Sequence, residues 1–327
     1  MTTTATVTPP DAKAPAPLTR GGRRALADTS FRYLALAAGL LVLVILFGIV
    51  FSMTQHAWPA FSKEGLSYFT RDSFDAVNNL YGSRSYVYGT IVVSLIAVLF
   101  AVPLSVGIAL FVTELAPRRL RFWITTVMDL LASVPSVVFG LWGFLVLRPK
   151  LNDIYGSIHD SVKSIPVLKT LFGPPGGGSS FMTAGLIVAL MITPIITSIT
   201  REVFLTVPRN DKDGALALGA TRWEMVRGVV LPHSTGGIVG GVMLGLGRAM
   251  GETIAIALVI GANPQITSNL FAPGEAMPSV IVRQLPEASG DFQAALIGLG
   301  VVLVGLTLLV NVAARLLVRR VERSRGA

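Results

Sequence analysis

The sequence of 327 residues contains no cysteine, which excludes disulfides and thiolate metal sites and leaves the redox compartment unread. Three scattered histidines are too few for a histidine metal cluster. Only 14% of the residues are charged, against about 25% in soluble domains. No Gly-Lys-Ser or Gly-Lys-Thr follows a glycine run, so the chain has no P-loop for ATP. No nucleophile–base constellation stands out, and a membrane enzyme such as a phosphatase gains no support. No secretory signal is evident: the first apolar run follows a polar tail, is long, and lacks a small-residue cleavage site after it.

What is present is apolar. Hydrophobic residues make up 52% of the chain and mean hydropathy is +0.67, as in a polytopic membrane protein. Six apolar segments, about 33–54, 86–113, 122–147, 181–200, 233–262 and 292–314, reach the roughly 20 residues that cross a bilayer as a helix. The net charge of +9 would suggest nucleic acid as a partner of a soluble protein; here it reads as the positive-inside rule, with no nucleic-acid partner. An inside N-terminus puts the tail, Arg118, Arg119, Arg121, the 201–227 loop and the C-terminal arginines on one side, 18 of 27 basic residues. Both termini are therefore expected in the cytoplasm of a bacterial cell whose cytoplasmic membrane the chain crosses several times.

Outside the segments, residues 1–30 are rich in Thr, Ala and Pro and read as a disordered tail, with Arg20, Arg23 and Arg24 as a topology signal or a contact to membrane lipid. Residues 31–320 form the membrane domain and 321–327 a short cytoplasmic tail. Trp58, Tyr68 and Tyr81 read as interfacial aromatics. The Gly173–Gly178 run reads as a flexible connector.

Residues 206–232 differ in character. Asp211–Leu218 reads as a short helix, Gly219 as its left-handed terminator, Thr221 and Glu224 as a capping box, and Pro232 as the start of the next membrane helix. Trp223, Met225 and Val226 add apolar projections. The frame runs Asp213-Gly214-Ala215, three residues, Gly219, nine residues, Val229-Val230-Leu231-Pro232. It resembles the EAA loop of ABC importer permeases, through which an ATPase drives the membrane subunit. The acid is one methylene shorter than the usual Glu, and Gly214 weakens the helix by up to about 1 kcal/mol.

Arg248 falls at the midpoint of the fifth segment, with Glu252 four residues on, one turn away on the same face of a continuous helix. A central arginine must face protein or water. Either the two form a self-neutralising ion pair, or Arg248 is an oxyanion point, its planar fork suited to tetrahedral anions. Glu252 would then either accept the hydrogen bond of a protonated phosphate and repel sulfate, or act as counter-ion when the site is empty. Thr193, Thr197 and Thr200, beside Pro194, either line a path or bond their own backbone. Glycines at GxxxG spacing on the fifth segment allow close helix approach.

The stretch Gly245-Leu246-Gly247-Arg248-Ala249-Met250-Gly251-Glu252-Thr253 closely resembles the GxGRAxGET segment of phosphate-importer permeases. Asp129-Leu130-Leu131-Ala132-Ser133-Val134-Pro135-Ser136-Val137-Val138-Phe139-Gly140-Leu141-Trp142-Gly143 resembles the ELLAxIPSVVYGLWG run of the C-type, or PstC, subunit, with Asp129 for Glu and Phe139 for Tyr. Arg201-Glu202-Val203-Phe204 and Val207-Pro208 fit the same family. The resemblance implies an all-α, six-helix type I ABC importer permease with no chemistry of its own, pairing with an A-type permease subunit. It also implies two ATP-binding subunits, which carry ATP and Mg, and an extracytoplasmic phosphate-binding protein that delivers inorganic phosphate. By the same resemblance Arg248 and Glu252 are tied to translocation, with Thr253 beside them and Thr193 and Thr197 as further candidates; for ATPase coupling the candidates are Asp213, Gly214, Ala215, Gly219, Thr221, Trp223, Glu224, Leu231 and Pro232. Rival readings are a sulfate or molybdate permease and an ion-coupled secondary transporter, though no inverted repeat is seen.

Overall fold

The computed structural model describes residues 22–75 and 78–325. Residues through Ser52 form one compact unit and those from Met53 a second. The first unit holds the start of α1 (Gly22–Glu64), a helix of 43 residues. From Tyr33 to Phe51 its side chains are apolar and almost all exposed, as on a helix solvated by lipid. The helix begins at Gly22, so residues 22–30 belong to it and not to a disordered tail; residues 1–21 lie outside the described residues.

In the second unit, α2 (Ser67–Thr70) precedes a two-stranded antiparallel ribbon, β1 (Phe74–Asp75) and β2 (Leu80–Tyr81), with Phe74 opposite Tyr81. Helix α3 (Arg84–Leu110) ends in a π turn at 111–115. Then come α4 (Arg118–Ser133), α5 (Ser136–Trp142), a π turn at 143–147, α6 (Arg148–Val162) and α7 (Pro166–Leu171). Helices α8 (Phe181–Thr206), α9 (Arg209–Ala217), α10 (Arg222–Met225), α11 (Leu231–Gly251), α12 (Ile254–Val259), α13 (Met277–Gln284) and α14 (Gly290–Arg325) complete the chain.

Among the described residues, α1 and four further helical spans are long and apolar enough to cross a bilayer, and one bent pair brings the total to six. The bend corrects the expectation of one straight helix over 122–147: α4 meets the following helix at 94°. Pro135 has no N–H to donate and pushes Val134 into extended backbone, at ψ 129°, which ends α4 there. At the C-terminus α14 runs to Arg325, past the expected helix end at 314.

The core joins α3, α8 and α11. Val93, Ile96 and Ala97 of α3 meet Ala184, Ile187, Val188 and Ile192 of α8. The glycines of α11 divide into two stripes. Gly237, Gly241 and Gly245 face Val203, Ile199 and Ile196 of α8; a Cβ on Gly245 would lie 2.7 Å from Ile196 Cδ1. Those three permit the close approach read from the sequence. Gly240, Gly247 and Gly251 have open space beside them.

The other end of the bundle is sealed by aromatics. Tyr68 and Tyr81 are fully buried among Met277, Val280 and Ala295, and the Tyr68 hydroxyl donates to the Ala295 carbonyl at 2.7 Å. They are core residues and not the interfacial anchors expected; burial pushes the Tyr68 phenol far above its ordinary value. The Gly173–Gly178 run is pinned and does not serve as a slack connector. Gly173 N–H donates to Asn269 Oδ1 at 3.0 Å, and a Cβ on Gly178 would meet the Arg148 carbonyl oxygen at 2.3 Å.

Candidate functional site

Two regions hold most of the sequence-predicted residues. The first lies at the basic end of the bundle, where α8 gives way to α9. Helix α9 starts after Pro208 and stops at a glycine cap: Gly219 takes φ +87°, its N–H donates to the Leu216 carbonyl at 3.0 Å, and the Ala220 N–H reaches Ala215 at 3.1 Å. The capping box is formed. Glu224 N–H donates to Thr221 Oγ1 at 3.3 Å, and Glu224 Oε2 accepts from the Thr221 N–H at 2.8 Å.

Pro232 departs from expectation. It does not open a new helix, because α10, the π turn at 226–230 and α11 are one continuous rod from Arg222 to Gly251. The widened turn, closed by the Leu231 N–H on the Val226 carbonyl, accommodates the proline's missing donor and its ring. The backbone therefore runs from α10 into α11 without a break.

The inner side of this region is apolar: Phe204, Val207, Met225, Val226 and Val230 are buried with Ala109, and Ala215 packs on them. The outer side is unfilled. Leu218 is 91% and Trp223 64% exposed, and Asp213 and Gly214 are exposed beside them. Lys212 Nζ lies 2.6 Å from Glu114 Oε1 on the π turn that ends α3, which ties α9 to that helix.

The second region is a groove of about 940 Å³ walled by α8, α11 and α14. Ile195, Met243, Gly247 and Arg248 line it with Asn311 and Arg315. Arg248 sits in the last turn of α11 and not at the midpoint of a longer helix, since α11 stops at Gly251. Glu252 is extended, at ψ 130°, so it does not share a helical face with Arg248. Its buried carboxylate accepts the Ala255 N–H at 3.3 Å and caps α12, while the Thr253 hydroxyl donates to the Gly251 carbonyl at 3.0 Å. Arg248 and Glu252 form no ion pair; Arg248 is exposed to the groove and has no hydrogen-bond partner among the described residues.

Thr193 and Thr197 do not line this groove. Each lies two residues from Ile195, about 200° around the helix, and so points away. The Thr193 hydroxyl donates to the Ala189 carbonyl at 2.7 Å, and Thr197 borders a narrow cleft with Thr125, Asp129 and Arg201. The residues that the sequence reading missed are Asn311 and Arg315. The available signal is an amide inside the apolar run Leu308-Leu309-Val310-Asn311-Val312; Arg315 reads in the sequence as one of the C-terminal topology charges.

Residues 101–323 match the family described as binding-protein-dependent transport system inner membrane component. The chain is 43% identical over 312 residues to the phosphate transport system permease protein PstC of Xylella fastidiosa, covering 94% of this chain and 96% of that one. It is 43% identical to the protein of the same name in Mesorhizobium japonicum, covering 93% and 94%. Among solved structures, a chain of a bacterial alginate ABC transporter, in complex with an alginate pentasaccharide-bound periplasmic protein, aligns at 18% identity with a TM-score of 0.54. That alignment covers 90% of this chain and 97% of the other and shows the shared permease fold.

Proposed function

This chain belongs to the PstC family of phosphate transport system permeases, within the binding-protein-dependent inner membrane components, and on that premise we propose that it walls the path of inorganic phosphate into the cell. The observation that carries the reading is Arg248, a guanidinium with no partner among the described residues, facing a groove with no carboxylate among its lining residues. A planar fork that stays charged at any physiological pH binds tetrahedral oxyanions through charge-assisted hydrogen bonds. Glu252 follows Arg248, the last groove residue of α11, by four residues and is buried, its carboxylate accepting the Ala255 N–H. Its negative charge there favours a phosphate that still carries a proton over sulfate, which carries none.

The basic end of the bundle faces the cytoplasm. Energy enters through α9 and α10, where Leu218 and Trp223 fill a cleft on an ATP-binding subunit. Two such subunits hold ATP and Mg, an A-type permease covers the open side of the groove, and a binding protein delivers phosphate from outside. Closure of the ATPase pair draws the coupling helices together. Because α10 continues into α11, that movement reaches Arg248 along one unbroken helix. The path opens outward on ATP binding and inward after hydrolysis.

The test is radiolabelled phosphate uptake, with sulfate as competitor, in cells that lack their own high-affinity importer and carry this chain with its neighbouring subunits. ATP-dependent uptake that ignores sulfate and collapses in Arg248→Gln is expected. Uptake untouched by the substitution in an assembled complex would remove Arg248 from the path.

A further inference from the structure

The groove that holds Arg248 holds a second cation. Arg315 of α14 lines it together with Asn311, one turn earlier on the same helix face. Helices α11 and α14 run in opposite directions. The start of α14 packs beside Tyr68, Tyr81 and Tyr86 at the end of the bundle remote from α9, and α11 departs from the α9 end. Arg315 therefore sits at the basic end of the groove. Arg248 is twelve residues beyond Gly236, the first groove residue of α11, a rise of about 18 Å. Between them the wall is Val239, Met243, Leu244 and Leu308 with glycines.

An anion released by Arg248 into that apolar stretch has no compensating charge until it reaches the α9 end. A path conducts when its sites are attractive enough to enter and several enough to leave. Arg315 and Asn311 supply the missing step: a fixed positive charge and an amide donor, neither with a hydrogen bond or ion pair among the described residues, and no carboxylate lines the groove to neutralise them. We infer that Asn311 and Arg315 form a second oxyanion site, the station from which phosphate leaves Arg248 for the cytoplasm. The inference rests on the phosphate-path reading above. The same guanidinium chemistry would also bind the phosphate of a lipid headgroup, and the experiment separates the two sources.

The complete importer, purified and reconstituted into liposomes with its binding protein outside and ATP inside, is assayed for radiolabelled phosphate uptake as wild type, Arg315→Gln, Arg315→Lys and Asn311→Leu. The amount of assembled complex recovered is measured for each. Arg315→Gln is expected to lower the maximal rate about tenfold, the loss of one charge-assisted contact, with KM unchanged because the binding protein outside sets capture. Arg315→Lys is expected to recover most of the rate, and Asn311→Leu to fall severalfold at full complex yield. Wild-type rates in Arg315→Gln or in Asn311→Leu overturn the second site alone. Loss of uptake only in proportion to lost complex assigns Arg315 to lipid headgroups and also overturns it. Absence of phosphate uptake by the assembled wild type overturns the path reading itself.

Discussion

Lys212 Nζ lies 2.6 Å from Glu114 Oε1, and both side chains are largely withdrawn from solvent. The pair spans 98 residues of sequence and joins α9 to the π turn closing α3, while Arg121 holds the same turn by donating to the Thr113 carbonyl at 2.9 Å. An exposed ion pair would contribute little, but this one is the polar tie between the proposed ATPase-facing helix and the core.

Glu114→Gln is therefore expected to loosen drive from transport. Phosphate uptake falls about fivefold, for a pair coupled by about 1 kcal/mol, while ATP hydrolysis by the complex continues. The exchanged pair Glu114→Lys with Lys212→Glu recovers uptake. Equal loss of hydrolysis and uptake, with no recovery in the exchange, would make the contact a folding element only.

Thr221→Ala removes one half of the capping box and is expected to weaken the start of α10 by about 1 kcal/mol. Hydrogen exchange over residues 221–226 should quicken severalfold while α9 is unaffected. Unchanged exchange would show that packing of Met225 and Val226 alone holds the turn.

Glu252 has two separable attributes, a charge and an acceptor for the Ala255 N–H. Glu252→Gln keeps an acceptor oxygen and removes the charge; Glu252→Ala removes both. Glutamine is expected to assemble normally and lose discrimination against sulfate, and alanine to lose assembly as well. If glutamine competes with sulfate no differently from wild type, the carboxylate serves α12 and not the anion.

Two glycines should respond in opposite ways. A Cβ on Gly89 would lie 1.9 Å from the Glu275 carbonyl oxygen, a backbone atom that cannot swing aside. Glu275 is itself buried and held by Arg283 and by the Ser279 hydroxyl. Gly89→Ala is expected to abolish accumulation of the subunit. Gly247→Ala meets nothing within 4 Å and should assemble at wild-type levels, so any loss of uptake it causes reports on the groove. Western blots of membranes and uptake assays check both.

Local chemistry written into the sequence determined a good part of this protein. Length and polarity of the apolar runs set the spans, because lipid leaves the backbone no partner but itself. Gly219 and the Thr221–Glu224 box fixed the turn between α9 and α10, because a left-handed residue and a reciprocal cap act within a few residues. Tertiary structure decided the rest. Pro135 turned one expected helix through 94°, whereas Pro232 was absorbed by a π turn inside a continuous rod; the same residue type gave opposite results according to what packs around it. The break after Gly251 parted Glu252 from Arg248, although four-residue spacing on an unbroken helix would have stacked them. Thr193 and Thr197 turned away from the groove, and Asn311 and Arg315 turned into it, because the crossing of α8, α11 and α14 selects which face of each helix meets the opening. A sequence lists the residues on a helix, but which of them share a cavity depends on partners far away in the chain.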